Sequence, residues 1–103
     1  MSTTIVRYRV APAHAEENAA LVRAVYAELA AAEPPGCRYA TYVQDDGVSF
    51  VHIAITDDGH ETPLPQLPAF QRFRAGLAER CDAPPEATTL TDRIGAYGLR
   101  ERT

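Results

Sequence analysis

One histidine of the sequence stands where it could take part in proton transfer. His52 lies between Val51 and Ile53, inside an apolar run typical of a strand. An imidazole ordinarily titrates near neutrality, so its side chain can act as a base towards an acidic hydroxyl or donate a hydrogen bond to a substrate oxygen. We predict His52 as a candidate base. A histidine whose hydrogen bonds are satisfied by a neighbour inside an interface is the alternative interpretation, because no second catalytic group is fixed beside it.

Aromatic and arginine side chains on the predicted strands could hold a flat substrate. Tyr42 and Arg7 are the candidate orienting groups, since a hydroxyl can bond to a substrate oxygen and a guanidinium can stabilise an enolate. The candidate substrate-pocket residues are all aromatic: Tyr8, Tyr39, Phe50, Phe70 and Phe73. The alternatives are ordinary sheet packing of the aromatic rings and an ion pair of Arg7 across a dimer, to Asp92 or Glu86.

Other kinds of site lack the residue spacing that they need. The three histidines, His14, His52 and His60, are not spaced as a metal set. Cys37 and Cys81 are too few for a disulfide framework, so we expect both to be buried, reduced thiols. The sequence contains no glycine-rich phosphate loop, serine nucleophile elbow or flavin fingerprint. We therefore expect no metal and no cofactor.

Composition predicts one cytoplasmic domain over residues 1–103, with residues 98–103 as a polar tail. The chain has 103 residues, 46% of them hydrophobic, and a formal net charge of −4. All 10 basic residues are arginines and they are dispersed, whereas nucleic-acid binding needs a concentrated basic face. No apolar run approaches the roughly 20 residues of a membrane span, and residues 1–5 do not read as a signal peptide. We expect neither nucleic acid nor membrane as a partner.

Six elements must position the candidate side chains. Periodicity predicts strands over residues 4–10, 37–44, 48–56 and 86–97, and helices over residues 13–32 and 68–81. The order βαββαβ is that of the ferredoxin-like arrangement. The predicted fold is therefore α+β, with a four-stranded antiparallel sheet and two helices on one of its faces.

The hairpin between the second and third strands decides what the other face carries. Asp46-Gly47 between two alternating segments is a strong hairpin signal. A two- or four-residue loop places Thr41 and Phe50 on the face of His52, whereas a three-residue loop inverts the groupings. In either register both faces of the hairpin carry large apolar groups. The face without helices would then be an apolar patch that a symmetric homodimer could bury, although a monomer with a partly apolar face is the alternative.

Several segments resemble a known family in their local sequence. They are residues 5–10 (IVRYRV), 18–29, 38–42 (RYATY), 46–52 (DGVSFVH) and 67–71 (LPAFQ). They resemble the antibiotic-biosynthesis-monooxygenase-like family of the dimeric α/β-barrel superfamily. The resemblance implies a homodimer whose two sheets close into a barrel with the helices outside. The family includes cofactor-free monooxygenases acting on polyketide phenols and quinones, quinol oxidases and haem-degrading enzymes; the last carry a characteristic Trp, and this chain has none.

Two functions follow as expectations from the residues and the resemblance together. The first is cofactor-independent oxygenation of a small aromatic substrate of the phenol or quinone type. The second is a non-catalytic homodimer that binds a small ligand or serves assembly. The two differ in whether His52 and at least one Tyr or Arg converge on a cavity large enough for an aromatic ring.

Overall fold

The predicted order of strands and helices is confirmed. A computed structural model describes residues 2–99 of the chain. The elements are β1 (Ser2–Arg9), α1 (Ala15–Ala32), β2 (Cys37–Val43), β3 (Ser49–Thr56), α2 (Pro68–Ala75), α3 (Leu77–Arg80) and β4 (Glu86–Leu90). Short 3-10 turns, Pro12–His14 and Leu64–Gln66, precede α1 and α2. The fold is α+β and ferredoxin-like, as the pattern predicts.

The four strands form one antiparallel sheet in the order β2-β3-β1-β4. In its register His52 lies opposite Val6 of β1 and Thr41 of β2, and Phe50 lies opposite Tyr8. Since residues directly opposite one another point to the same face, all of these side chains share one face of the sheet. That face packs against the helices, because Tyr8 and Phe50 belong to the buried core.

The β2–β3 hairpin has a four-residue loop, residues 45–48. Val43 pairs with Phe50, and the Gln44 N–H donates to the Ser49 carbonyl at 2.8 Å. One carboxylate oxygen of Asp46 accepts the backbone N–H of Ser49 at 2.8 Å, while Gly47 takes a positive φ of 75°. The grouping expected for an even-numbered loop is confirmed, and the three-residue alternative is wrong.

The first helix buries the stripe that its periodicity predicts. Val22 and Val25 are buried, and Leu29 packs against them from the same side. The helix ends at Glu33, which has a left-handed φ of 47° and donates its N–H to the Leu29 carbonyl. Pro34 follows and cannot continue the helix.

The second predicted helix is divided in two at Gly76. This residue has φ −108° and ψ 7°, outside the helical region, and it separates α2 from α3. A Cβ at this position would lie 2.9 Å from the Arg80 guanidinium. The single helix predicted over residues 68–81 is therefore wrong at Gly76, and after this break Arg80 turns back to bond to the Phe73 carbonyl of the first piece.

The last strand is shorter than predicted. β4 pairs with β1 in antiparallel register, with Leu90 opposite Thr3, so β1 has almost no backbone left to pair with residues beyond 90. Ile94 and Tyr97 are 97% and 98% exposed. The strand expected over residues 86–97 is thus corrected to Glu86–Leu90. Most of the expected polar tail, residues 100–103, lies outside the described residues.

The second face of the sheet is not covered by any described helix. Its residues alternate with the core-facing ones, and polar side chains such as Arg7 and Arg38 stand there beside six apolar or aromatic ones: Ile5, Ala40, Tyr42, Val51, Ile53 and Ile55. Ile5, Ile53 and Ala40 form one row across the three adjacent strands β1, β3 and β2, and all three are only partly buried. We call this surface the open face.

Candidate functional site

His52 lies in a chain of hydrogen bonds that links the sheet to α1. Its Nε2 is 2.7 Å from the Tyr8 hydroxyl, and its Nδ1 is 3.0 Å from the Thr41 hydroxyl. The chain continues in one direction to the Tyr26 hydroxyl, 2.8 Å from that of Thr41. In the other direction the Asn18 amide donates to the Tyr8 hydroxyl at 2.9 Å. Both nitrogens of the imidazole are therefore occupied by protein groups.

The inner end of the chain is held by a buried arginine. Arg80 Nε donates to Asn18 Oδ1 at 3.0 Å, and its NH2 donates to the Phe73 carbonyl at 2.9 Å. Its guanidinium also lies 5.4 Å from the centre of the Phe73 ring. Asn18 is 0% exposed and Arg80 4%. Because a guanidinium can only donate, the Asn18 oxygen must face Arg80, and the Asn18 NH₂ must face Tyr8.

This orientation sets the direction of the remaining protons. The Tyr8 oxygen accepts from Asn18, so its own proton is available to His52 Nε2. A neutral imidazole carries one N–H, which then sits on Nδ1 and donates to Thr41. The Thr41 hydroxyl can then donate to the Tyr26 oxygen, since either hydroxyl of this pair can be the donor. In this assignment each donor points from Arg80 towards Tyr26, and the Tyr26 proton is available to a ligand oxygen.

Burial shifts the pKa values of the His52 imidazole and the Tyr8 hydroxyl, both members of this hydrogen-bond chain. It lowers the pKa of His52 from 6.5 to about 4 and raises the pKa of Tyr8 to about 12, although Asn18 and Arg80 act against the shift at Tyr8. The expectation that His52 titrates near neutrality is therefore wrong. Proton transfer to it from a phenol of ordinary pKa would be uphill by roughly 8 kcal/mol. The imidazole is neutral near pH 7 and suits hydrogen bonding better than general-base catalysis.

A small apolar cavity lies between His52 and the helices. Its volume is about 50 Å³, and Val25 of α1, Ala54 of β3 and Phe73 of α2 are among its walls. Apolar cavities that bind benzene in proteins are larger, at about 150 Å³. The cavity by itself is thus too small for an aromatic ring.

A surface groove of about 400 Å³ adjoins the cavity. Tyr26, Leu29 and Tyr39 line both spaces, which therefore share one side. The Tyr39 hydroxyl is 2.6 Å from that of Thr62, which ties this side to the loop before α2. A volume of this order is within the usual range of small-molecule sites, about 300–1,000 Å³. The groove has room for an aromatic ring. A ligand that bonds to the Tyr26 hydroxyl in the groove is linked to His52 through Thr41.

The structure brings most predicted site residues together and separates two. Around His52 it gathers Tyr8, Tyr39, Phe70 and Phe73, and Phe50 stacks on Tyr8 with ring centres 5.5 Å apart. Arg7 and Tyr42 both lie opposite Val51, on the open face. Their predicted part as orienting groups beside His52 is therefore corrected, because one residue of alternation turns them away from it.

Four residues of the chain were missed by sequence reasoning: Asn18, Tyr26, Thr41 and Arg80. A signal for Asn18 was present, because it stands four and seven residues before Val22 and Val25, within the apolar stripe of α1. A polar residue at such a position must be buried with a partner. The partner, Arg80, is 62 residues away and carries no local signal.

The other titratable residues do not assemble a second site. Over residues 2–99 no group of three or more His, Cys, Asp or Glu could hold a metal ion. Cys37 is buried, Cys81 is partly buried, and both are free thiols. None of the described helices combines the length and apolar character needed to cross a membrane.

Solved structures with this fold are found in several bacteria. Rv0793 from Mycobacterium tuberculosis matches with a TM-score of 0.71 at 22% identity, covering 93% of this chain and 98% of its own. A candidate antibiotic biosynthesis monooxygenase from Nitrosomonas europaea matches with a TM-score of 0.73 at 19% identity, covering 89% and 98%. No family model and no curated protein matches the sequence.

For one further solved structure, the description states the type of reaction that the protein catalyses. A mutant of SnoaB, a cofactor-independent oxygenase from Streptomyces nogalater, matches with a TM-score of 0.59 at 26% identity, covering 91% of this chain and 94% of its own. The Nitrosomonas europaea and Streptomyces nogalater structures, whose descriptions name a monooxygenase and an oxygenase, confirm the resemblance to the antibiotic-biosynthesis-monooxygenase-like family that the sequence predicts. At such identities the likeness establishes a common fold.

Proposed function

We propose that this chain is a homodimeric, cofactor-independent monooxygenase acting on a small aromatic substrate of the phenol or quinone type. The observation that carries the proposal is the hydrogen-bond chain from Asn18 to Tyr26, a residue that lines both the groove and the apolar cavity. The description of SnoaB as a cofactor-independent oxygenase supports the same reaction class.

The proposed reaction draws all its electrons from the substrate. An ionised phenol passes one electron to dioxygen, and the two radicals combine to form a C–O bond. The O–O bond of the resulting peroxide then breaks, the ring carbon loses its proton and becomes a carbonyl. One phenol and one dioxygen thus give one quinone and one water, which carries away the phenolic and the ring protons. The balance requires neither a metal nor an organic cofactor.

His52 acts in this proposal as a donor through its neighbours. With a pKa of about 4 it is neutral in the working range and is too weak a base to ionise an ordinary phenol. Its Nδ1–H instead polarises the Thr41 and Tyr26 hydroxyls, which lie at 3.0 Å and 2.8 Å in succession. The Tyr26 proton then stabilises a substrate oxyanion in the groove. The preferred substrates are therefore acidic phenols and hydroxyquinones that ionise without a base.

Oxygen uptake with a panel of acidic phenols and hydroxyquinones tests this role. We expect Tyr26→Phe and His52→Ala each to lower kcat/KM by about 10²-fold, because each removes a donor from the chain that ends at the oxyanion. Tyr97→Phe is the matched control and should keep the wild-type rate, since Tyr97 is 98% exposed and lies outside both the site and the open face. Uptake unchanged by both Tyr26→Phe and His52→Ala would refute the assigned role. Absence of uptake with every substrate would favour a non-catalytic binding module.

The open face supports the homodimer in the proposal. A partly exposed row of Ile5, Ile53 and Ala40 runs across the sheet, and Tyr42 extends it. Large apolar patches are uncommon on soluble monomers and usually mark an interface. A second copy could cover this face by packing sheet against sheet under two-fold symmetry.

Analytical ultracentrifugation tests the dimer. We expect the wild-type chain to sediment as a dimer at micromolar concentration, and Ile5→Lys to sediment as a folded monomer because it places a charge in the centre of the open face. Ala27→Lys adds the same charge at an exposed position of α1 and should leave the dimer intact. A wild-type monomer, or a dimer that tolerates Ile5→Lys, would contradict an interface on this face.

A further inference from the structure

We infer that the cavity between His52 and the helices is a binding site for dioxygen. The inference deepens the proposed function, and it rests on that function only for the claim that the bound dioxygen oxidises the aromatic substrate. Binding itself does not depend on turnover, because it follows from the size and the chemistry of the cavity walls.

The size of the cavity favours a diatomic molecule. Its volume of about 50 Å³ exceeds what a single water needs but falls well short of a cavity for a benzene ring, roughly 150 Å³. Dioxygen is only slightly larger than water, so it fits without displacing the surrounding side chains. An aromatic substrate is restricted to the groove outside.

The chemistry of the walls disfavours water in the same space. Val22, Val25 and Phe73 contribute hydrocarbon, and the polar side chains in the wall are His52, Tyr26 and Tyr39. The two tyrosine hydroxyls bond to Thr41 and Thr62, which leaves at most the Tyr26 proton for a water. Both nitrogens of the His52 imidazole are already bonded, to Tyr8 and to Thr41. A buried water needs two to four polar partners, whereas an apolar gas needs none. The satisfied hydrogen bonds of His52 thus make an otherwise polar side chain part of an apolar cavity.

The position of the cavity suits a reaction with a substrate in the groove. Tyr26, Leu29 and Tyr39 line both spaces, so a gas molecule in the cavity lies next to a substrate in the groove. Displacement of the Tyr39 side chain, whose hydroxyl bonds to Thr62 and takes no part in the hydrogen-bond chain of His52, would bring a gas molecule from the cavity against the face of a ring in the groove.

Paramagnetic relaxation by dissolved dioxygen detects the site directly. Methyl resonances of the wild-type protein would be measured in buffer equilibrated with dioxygen and then with argon, without substrate. We expect the methyl groups of Val22 and Val25 to relax several-fold faster under dioxygen than those of Val10, which is 0% exposed but lies outside the cavity. Equal enhancement at Val10 and at the cavity methyl groups would overturn the inference.

The second measurement repeats the relaxation experiment on a variant whose cavity is filled by a larger side chain. Ala54→Val adds two methyl groups to the cavity wall and should abolish the extra relaxation at Val25, while Ala87→Val on the exposed strand β4 should leave it unchanged. If the proposed oxygenation occurs, Ala54→Val should also raise the KM for dioxygen several-fold with little change in that for the aromatic substrate. Relaxation that persists in a folded Ala54→Val protein would overturn the site. Absence of turnover would overturn only the proposed function, because the relaxation experiment contains no substrate.

Discussion

Replacing Asn18 with leucine is expected to destabilise the protein by about 3 kcal/mol, with roughly 1 from the lost bond to Tyr8 and 2 from the lost bond to the Arg80 cation. Leucine is close to asparagine in size, so the loss comes from hydrogen bonds and not from a large cavity. With Asn18 0% exposed, no water replaces its amide on either partner. Urea unfolding of the wild type and the variant measures the difference.

Two further variants separate the contributions to this effect. Asn18→Asp keeps an oxygen for Arg80 but loses the NH₂ that donates to Tyr8, so it should cost less than Asn18→Leu. Glu16→Leu, on an exposed position of the same helix, should change the free energy of unfolding by no more than about 0.5 kcal/mol. If Asn18→Leu were as mild as Glu16→Leu, the hydrogen-bond chain would not exist as described.

The fold was accessible from the sequence because its signals are local. Alternation in β1, the three- and four-residue spacing of Val22 and Val25, and the Asp46-Gly47 turn each act over a few residues. The two errors lie where long-range contacts are made. The break at Gly76 accompanies the bond of Arg80 to Asn18, 62 residues away, and β4 ends where β1 has no backbone left to pair with.

The site was accessible only where residue type alone identifies a candidate. His52 and the aromatic residues were found this way, but their hydrogen-bond partners depend on pairing across the sheet and between helices. Tyr42 was placed beside His52 while the length of the hairpin loop was still open, and the four-residue loop sends it to the other face. The pKa of His52 could not be predicted, because it depends on burial under α2 and not on neighbouring residues in the chain.

Lowering the pH from 6.5 to 4 is expected to reduce the free energy of unfolding by roughly 3 kcal/mol through His52 alone. Burial depresses the pKa of this histidine to about 4, whereas in the unfolded chain it returns to 6.5. Between these two values the unfolded state binds a proton that the folded state does not, so stability falls as the pH falls through this range. Below about pH 4 both states are protonated and this contribution stops growing.

Urea unfolding at a series of pH values and a fixed protein concentration measures this linkage. His52→Gln retains a donor and an acceptor but does not titrate, so its stability should lack most of the decline between pH 6.5 and 4. His60→Gln removes an exposed histidine and should keep the wild-type profile. Hydrogen bonds to Ser49 and Val48 lower the pKa of Asp46. Its contribution to the free energy of unfolding is therefore lost only at a pH below the range in which His52 acts. Parallel profiles for the wild type and His52→Gln would mean that His52 is not buried as a neutral imidazole, and the donor role assigned to it would fail with that result.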